Sequence, residues 1–157
     1  MISDFLSTTV LVGILASGIR LATPYLYAAI GETFGQRSGV LNLGVEGQML
    51  LGAFAAFYVV LTTNNLWLGV LAAMIVGAAM GLAMAYVTVT LNAEQGISGI
   101  GFLLFGLGMS DLLFQKLVGT VETVKGFPKI YIPGLSDIPV IGEIFFSQNI
   151  MVYGAYL

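Results

Sequence analysis

The chain holds 157 residues, of which 58% are hydrophobic and only 8% charged, with a net charge of −3. A soluble domain carries about 25% charged residues, so too few remain here to cover a water-facing surface, and a mean hydropathy of +0.99 points to an integral membrane protein. Cysteine and histidine are absent, which excludes disulfides, thiolate nucleophiles, Cys/His zinc sites and Ser-His-Asp triads, and the acidic balance offers nucleic acid no basic patch.

The opening MISDFLSTT has an acidic residue and no Lys or Arg. A signal peptide starts with a positive region, so the first apolar run reads as a retained span. A crossing helix needs about 20 mostly apolar residues. Four runs approach or reach that: residues 8–30, with Arg20 and Pro24 inside; 40–61; 66–91, uncharged; and 97–118, with Asp111 and Lys116 near its end. The links GETFGQRSG (31–39), TTNN (62–65) and NAEQG (92–96) are short, as between antiparallel neighbours of a compact bundle. The glycines of residues 94–108 lower helix propensity, so the fourth run either spans or re-enters.

Residues 119–147 contain Pro128, Pro133 and Pro139 among alternating polar and apolar positions. Proline removes a hydrogen bond from a helix interior, so this stretch reads as an extramembrane loop with short strands or turns, lying against the membrane surface. A fifth run, 148–157, begins as QNIMVYGAYL. It is too short to span alone, and the expectation is a fragment of a longer permease-like protein. The expected fold is all-α and integral to the membrane: one polytopic transmembrane helix bundle with a broken or re-entrant helix.

In the third run Ala73, Gly77, Gly81 and Ala85 recur every four residues. Such a face lets two helix backbones approach closely in lipid, and it is assigned to helix packing. Arg20, Asn42, Glu46, Gln48, Asp111 and Lys116 are the polar residues in or near the spans. A carboxylate at the helix centre costs about 2.5–3.5 kcal/mol on insertion scales, so an ionisable residue there marks a site unless it is paired. Asn42 and Glu46 stand four apart, with Gly44 and Gly47 among them. On a continuous helix they share a face with Met49 and Ala53. The glycines suggest instead an unwound turn, as transporters use near the bilayer midplane. Glu46 then either lines a path or is buried in a pair with Arg20 or neighbouring amides. Arg20 is expected to be a buried charge whose partner is Glu46 first and Asp111 second. Asp111 and Lys116 read as interfacial. No cluster of metal-ligand type and no paired aspartates at helical spacing appear, which disfavours an intramembrane enzyme.

The stretch ATPYLYAAIGETFGQRSGVLNLGVEGQMLLGAFAAF (22–57) resembles the N-terminal signature of bacterial ABC-importer permeases, in the branch for simple sugars, nucleosides and branched-chain amino acids. It is most similar to the nucleoside and simple-sugar subgroup. QGISGIGFLLFGLG (95–108) and residues 132–157 resemble that subgroup's fourth region, and its extracytoplasmic loop with the next span. The resemblance implies the N-terminal half of a multi-pass permease in the bacterial cytoplasmic membrane. It places Asn42, Gly44, Glu46 and Gly47 along the translocation path. It implies as partners a second permease subunit, P-loop ATPase subunits that hydrolyse the ATP, and an extracytoplasmic substrate-binding lipoprotein. No cofactor or metal is expected on this chain, and no ATPase site, because no Gly-rich phosphate loop is present. The family's segment that grips the ATPase has no counterpart here. The lysines at 116, 125 and 129 favour a cytoplasmic loop by the positive-inside rule, whereas the resemblance puts residues 119–147 outside. An ion-coupled secondary transporter or channel is the alternative reading.

Overall fold

The computed structural model describes residues 8–120, 122–136 and 138–157. The opening MISDFLS, which precedes the first expected span, lies outside them. The described elements are α1 (Thr8–Arg37), α2 (Val45–Thr63), α3 (Leu66–Ala85) continued by a π-helical turn (Tyr86–Thr90), α4 (Gln95–Leu117), β1 (Lys129–Tyr131), α5 (Ile141–Phe145), β2 (Ser147–Asn149) and α6 (Ile150–Ala155). Four helical segments are long and apolar enough to cross a membrane: Val10–Arg37, Val45–Thr63, Leu66–Thr90 and Gln95–Leu117. The all-α polytopic class follows from them. The chain divides into two units, residues 30–126 and residues 1–29 with 127–157, and α1 contributes to both.

In the unit of residues 30–126, α1 continues past Ile30 to Arg37. The stretch read as a link is helical because Glu32 and Gln36, four apart, face each other, with Gln36 Nε2 donating to Glu32 Oε1 at 3.2 Å. Gly39, at φ +85°, then ends the helix. Its N–H donates to Gln36 O at 3.0 Å, and Val40 N–H reaches back to Gly35 O at 3.1 Å, the double closure that a left-handed glycine permits. Helix α2 begins only at Val45, so residues 40–44 of the expected second span are not helical. Two asparagines turn α2 into α3. Asn64 adopts a left-handed conformation at the end of α2, and Asn65 Oδ1 caps α3 by accepting from Trp67 N and Leu68 N. At Gly69 of α3 an added Cβ would lie 3.1 Å from Ala56 O and would collide with the Val60 side chain, so α2 and α3 cross closely there. Helix α4 is continuous over its 23 residues, about 34 Å of rise.

In the other unit, β1 pairs antiparallel with β2 in the register Lys129–Asn149, Ile130–Gln148 and Tyr131–Ser147. Ser136 Oγ accepts from Ile132 N at 2.9 Å and donates to Phe146 O at 2.5 Å, closing the loop between the strands. Tyr27 on α1 donates through its hydroxyl to Met151 O of α6 at 2.8 Å. Tyr153 OH, also on α6, donates to Ile130 O at 3.0 Å. The proline-rich stretch is thus a hydrogen-bonded lobe tied to α1 and α6.

Candidate functional site

Residues 38–44 run without helix beside the first turns of α4. A Cβ on Gly99 would fall 2.8 Å from Leu43 N and Cβ, and one on Gly44 would fall 2.8 Å from Phe102 Cβ. One on Gly47 would meet Leu103 O at 2.7 Å, and one on Gly106 would collide with the Gly47 backbone. Gly44, at the start of α2, therefore lies level with residues 99–102 of α4, roughly 6–11 Å beyond the start of that helix at 1.5 Å per residue. The break extends well into a membrane-crossing helix pair, not merely around its end.

Side chains supply partners for the backbone polar groups that the break frees from a helix ladder. Gln95, the first residue of α4, accepts from Leu41 N through Oε1 at 2.8 Å and donates from Nε2 to Gly39 O at 3.1 Å. Glu32 Oε1 accepts from Asn42 N at 3.1 Å as well as from Gln36. Asn42 Oδ1 accepts from Gly44 N at 3.0 Å, and Asn42 Nδ2 donates to Gln48 Oε1 at 3.1 Å. Gln48 Nε2, in the first turn of α2, is buried and has no partner among the described residues. Glu94 caps α4, with its carboxylate accepting from Gly96 N at 2.9 Å and Ile97 N at 2.5 Å. The Ile97 N–H first, then that of Gly96, hold its carboxyl below the usual carboxylate range.

The sequence-derived site residues separate into two sets. Asn42, Gly44 and Gly47 come together at the α2–α4 crossing. Asn42 does not share a helix face with Glu46, because the helix begins beyond it and its side chain closes the turn instead. Gly44 and Gly47 are buried, while Glu46 is exposed. Glu46 occupies the first turn of α2, where the positive end of the helix dipole favours a carboxylate. No described residue of its own unit bonds it. Arg20 belongs to the other unit and is exposed, donating to Ser17 Oγ at 3.0 Å. Asp111 Oδ2 accepts from Gln115 Nε2 at 2.8 Å, beside a cavity of about 430 Å³ that Phe54, Phe57, Phe114 and Ser110 also line. On the Ala73, Gly77, Gly81 and Ala85 face, a Cβ at Gly77 or Gly81 would meet nothing within 4 Å, and only the Ala73 carbonyl approaches a glycine, Gly52, at 3.6 Å. The tight crossings described here use other glycines. Glu32 and Gln95 were not singled out from sequence, since both stood in apparent links.

A glycine-lined crossing around a side-chain-satisfied break, in a chain with four apolar helices, is the arrangement against which known proteins can be compared. Residues 14–156 match the model of the branched-chain amino acid transport system / permease component family. The chain belongs to that family. It is a multi-pass membrane protein. It is 37% identical over 149 residues to the "Putative glucose ABC transporter permease protein" of Haloferax volcanii, covering 92% of this chain and 45% of the relative. It is 38% identical over 144 residues to the guanosine ABC transporter permease protein of Bacillus subtilis, covering 86% of this chain and 45% of that relative. The nucleoside ABC transporter permease protein of Lactococcus lactis is 34% identical over 144 residues, covering 87% of this chain and 45% of its own length. The chain thus spans less than half the length of these relatives. No solved structure matches it.

Proposed function

We propose that this chain forms part of the permease subunit of an ATP-driven ABC importer that moves nucleosides or simple sugars across the cytoplasmic membrane by alternating access. Its partners are then a second permease subunit, P-loop ATPase subunits that hydrolyse the ATP, and an extracytoplasmic substrate-binding lipoprotein. The chain itself carries no ATPase site and no cofactor, and it changes no covalent bond of its cargo. Family membership and relatives named for glucose, guanosine and nucleoside transport support this reading.

The observation that carries the path assignment is the break at residues 38–44, with an exposed Glu46 immediately beyond it. Irregular backbone at membrane depth is tolerated where protein buries it or where it lines a water-filled cavity. In this reading Asn42, Gly44 and Gly47 keep the break open in shape, and Glu46 presents a carboxylate to the hydroxyl groups or base edges that pass. The open face of Ala73, Gly77, Gly81 and Ala85 packs against a further helix of the assembly. Glu46→Ala in the complete importer should lower uptake of labelled nucleoside or sugar while the lipoprotein keeps its affinity. Unchanged uptake would remove Glu46 from the path.

A further inference from the structure

The lobe between β1 and β2 raises a separate question. Leu135, Ile138, Val140, Ile141 and Phe145 are all at least 39% exposed there, on a stretch that sequence alone places outside the membrane. Its position along α1 is set by one side chain. Gln148 is 1% exposed, and its Nε2 donates both to Ala16 O of α1 at 3.2 Å and to Ile144 O of α5 at 2.7 Å. A single amide therefore holds the end of α5 at the level of Ala16. That level is apolar: Ile14 and Leu15 beside it are 59% and 54% exposed, and both belong to a helical segment long and apolar enough to cross a membrane.

Helix α5 is built to suit such a position. Gly142 and Ile144 are buried, while Ile141, Glu143 and Phe145 are exposed. At 100° per residue Ile141 and Phe145 lie on one side and Glu143 on the other. A γ-turn presents the apolar side: Ile141 N donates to Pro139 O at 2.8 Å across Val140, whose φ is +69°. A β-branched residue rarely adopts that conformation, and it persists only where its surroundings impose it.

We infer that the segment from Ile138 to Phe145 is a membrane wedge, with Ile138, Ile141 and Phe145 immersed in the lipid of the leaflet where α1 begins and Glu143 turned to the headgroups and water. Lipid is the occupant because the apolar side of α5 sits at the depth of the exposed apolar surface of α1, to which the Gln148 amide ties it. The wedge requires no particular cargo.

These 157 residues hold no cysteine, so once any cysteine elsewhere in the permease is removed, nitroxide spin labels can be placed singly. Ile141→Cys, Glu143→Cys and Phe145→Cys, each in the permease within its complete complex, are reconstituted into phosphatidylcholine vesicles, with the partner subunits' cysteines removed. Leu21→Cys on α1 serves as the lipid reference. The wedge predicts that labels at 141 and 145 collide with dissolved oxygen several-fold more than with a water-soluble nickel chelate, as at 21, while the label at 143 shows the reverse preference. Nickel preference at 141 and 145 would place the lobe in water and overturn the proposal. Immobile labels at 141 and 145, shielded from both reagents, would mean that another protein segment covers the face, and would overturn it equally.

Discussion

Gly106 on α4 rests directly on the backbone of Gly47 on α2, so closely that a Cβ at residue 106 would collide with the carbonyl of residue 47. Both atoms of the clash belong to backbone or its direct branch, so no side-chain rotation relieves it. Gly106→Ala should therefore force the helices apart. Overpacking of this kind costs about 1–3 kcal/mol. The measurement is the melting temperature of the detergent-solubilised complex, which should fall clearly for Gly106→Ala. A wild-type value would show that the two helices do not cross at these glycines.

Gly77→Ala is the matched control. A Cβ there meets nothing within 4 Å, and replacing a mid-helix glycine with alanine favours a helix by roughly 0.5–1 kcal/mol. Thermal stability of the chain should hold or rise. If the face of Ala73, Gly77, Gly81 and Ala85 packs on a further helix, the larger Gly77→Leu should reduce the yield of assembled complex, measured by size-exclusion chromatography. Full assembly of Gly77→Leu would contradict that packing role.

Gln95 bonds both Leu41 N and Gly39 O, so its loss leaves a donor and an acceptor of the broken segment unpaired. Both bonds are exposed, so the loss of each costs no more than about 0.5–1.5 kcal/mol, the net contribution of a typical hydrogen bond. Gln95→Ala should destabilise the complex. Gln95→Glu should do so to a smaller extent, because a carboxylate still accepts from Leu41 N yet cannot donate to Gly39 O. Equal melting temperatures for Gln95→Ala and wild type would show that this side chain does not support the break.

Much of the fold is legible in hydropathy, because a spanning helix needs a long apolar run, and four such runs stand out. The ends of those runs are less legible. Glu32, Gln36 and Arg37 looked like a polar link, yet they extend α1, since their polarity does not oppose helix formation once the helix leaves the lipid-facing stretch. The glycines at 44 and 47 point to an unwound turn, and the helix starts only beyond Gly44, which puts Asn42 in that turn. The role of Gln95 was hidden because its partners lie 54 and 56 residues earlier, and no local pattern reports a long-range amide bond. Small residues at 44 and 47 and at 99 and 106 were visible as glycines. Their pairing across two helices is the signal that small residues at a membrane-helix crossing carry, while the more regular Ala73–Ala85 repeat drew attention to a face that is open in this chain.

Glu94 gives a pH dependence whose sign can be stated. Its carboxyl is held below the usual range by the Ile97 and Gly96 N–H groups. A group depressed in the folded state stabilises above its unfolded value, and that stabilisation is lost as pH falls through the folded value. Melting temperatures of wild type and Glu94→Ala should differ at neutral pH and converge in acid, below the usual carboxylate range. A difference that persists unchanged in acid would mean that the carboxylate charge does not cap α4.

In the proposed function, the break at residues 38–44 opens onto an aqueous path and Glu46 faces it. These 157 residues hold no cysteine, so Glu46→Cys, in the complete importer with every other cysteine removed, can be challenged with a charged, membrane-impermeant thiosulfonate reagent. A path-facing residue predicts modification by this reagent at a rate that changes when ATP drives the alternation, with protection by the transported substrate. A cysteine at 46 that resists the charged reagent in every state, and yields only to a lipid-soluble maleimide, would place residue 46 against lipid and contradict the account.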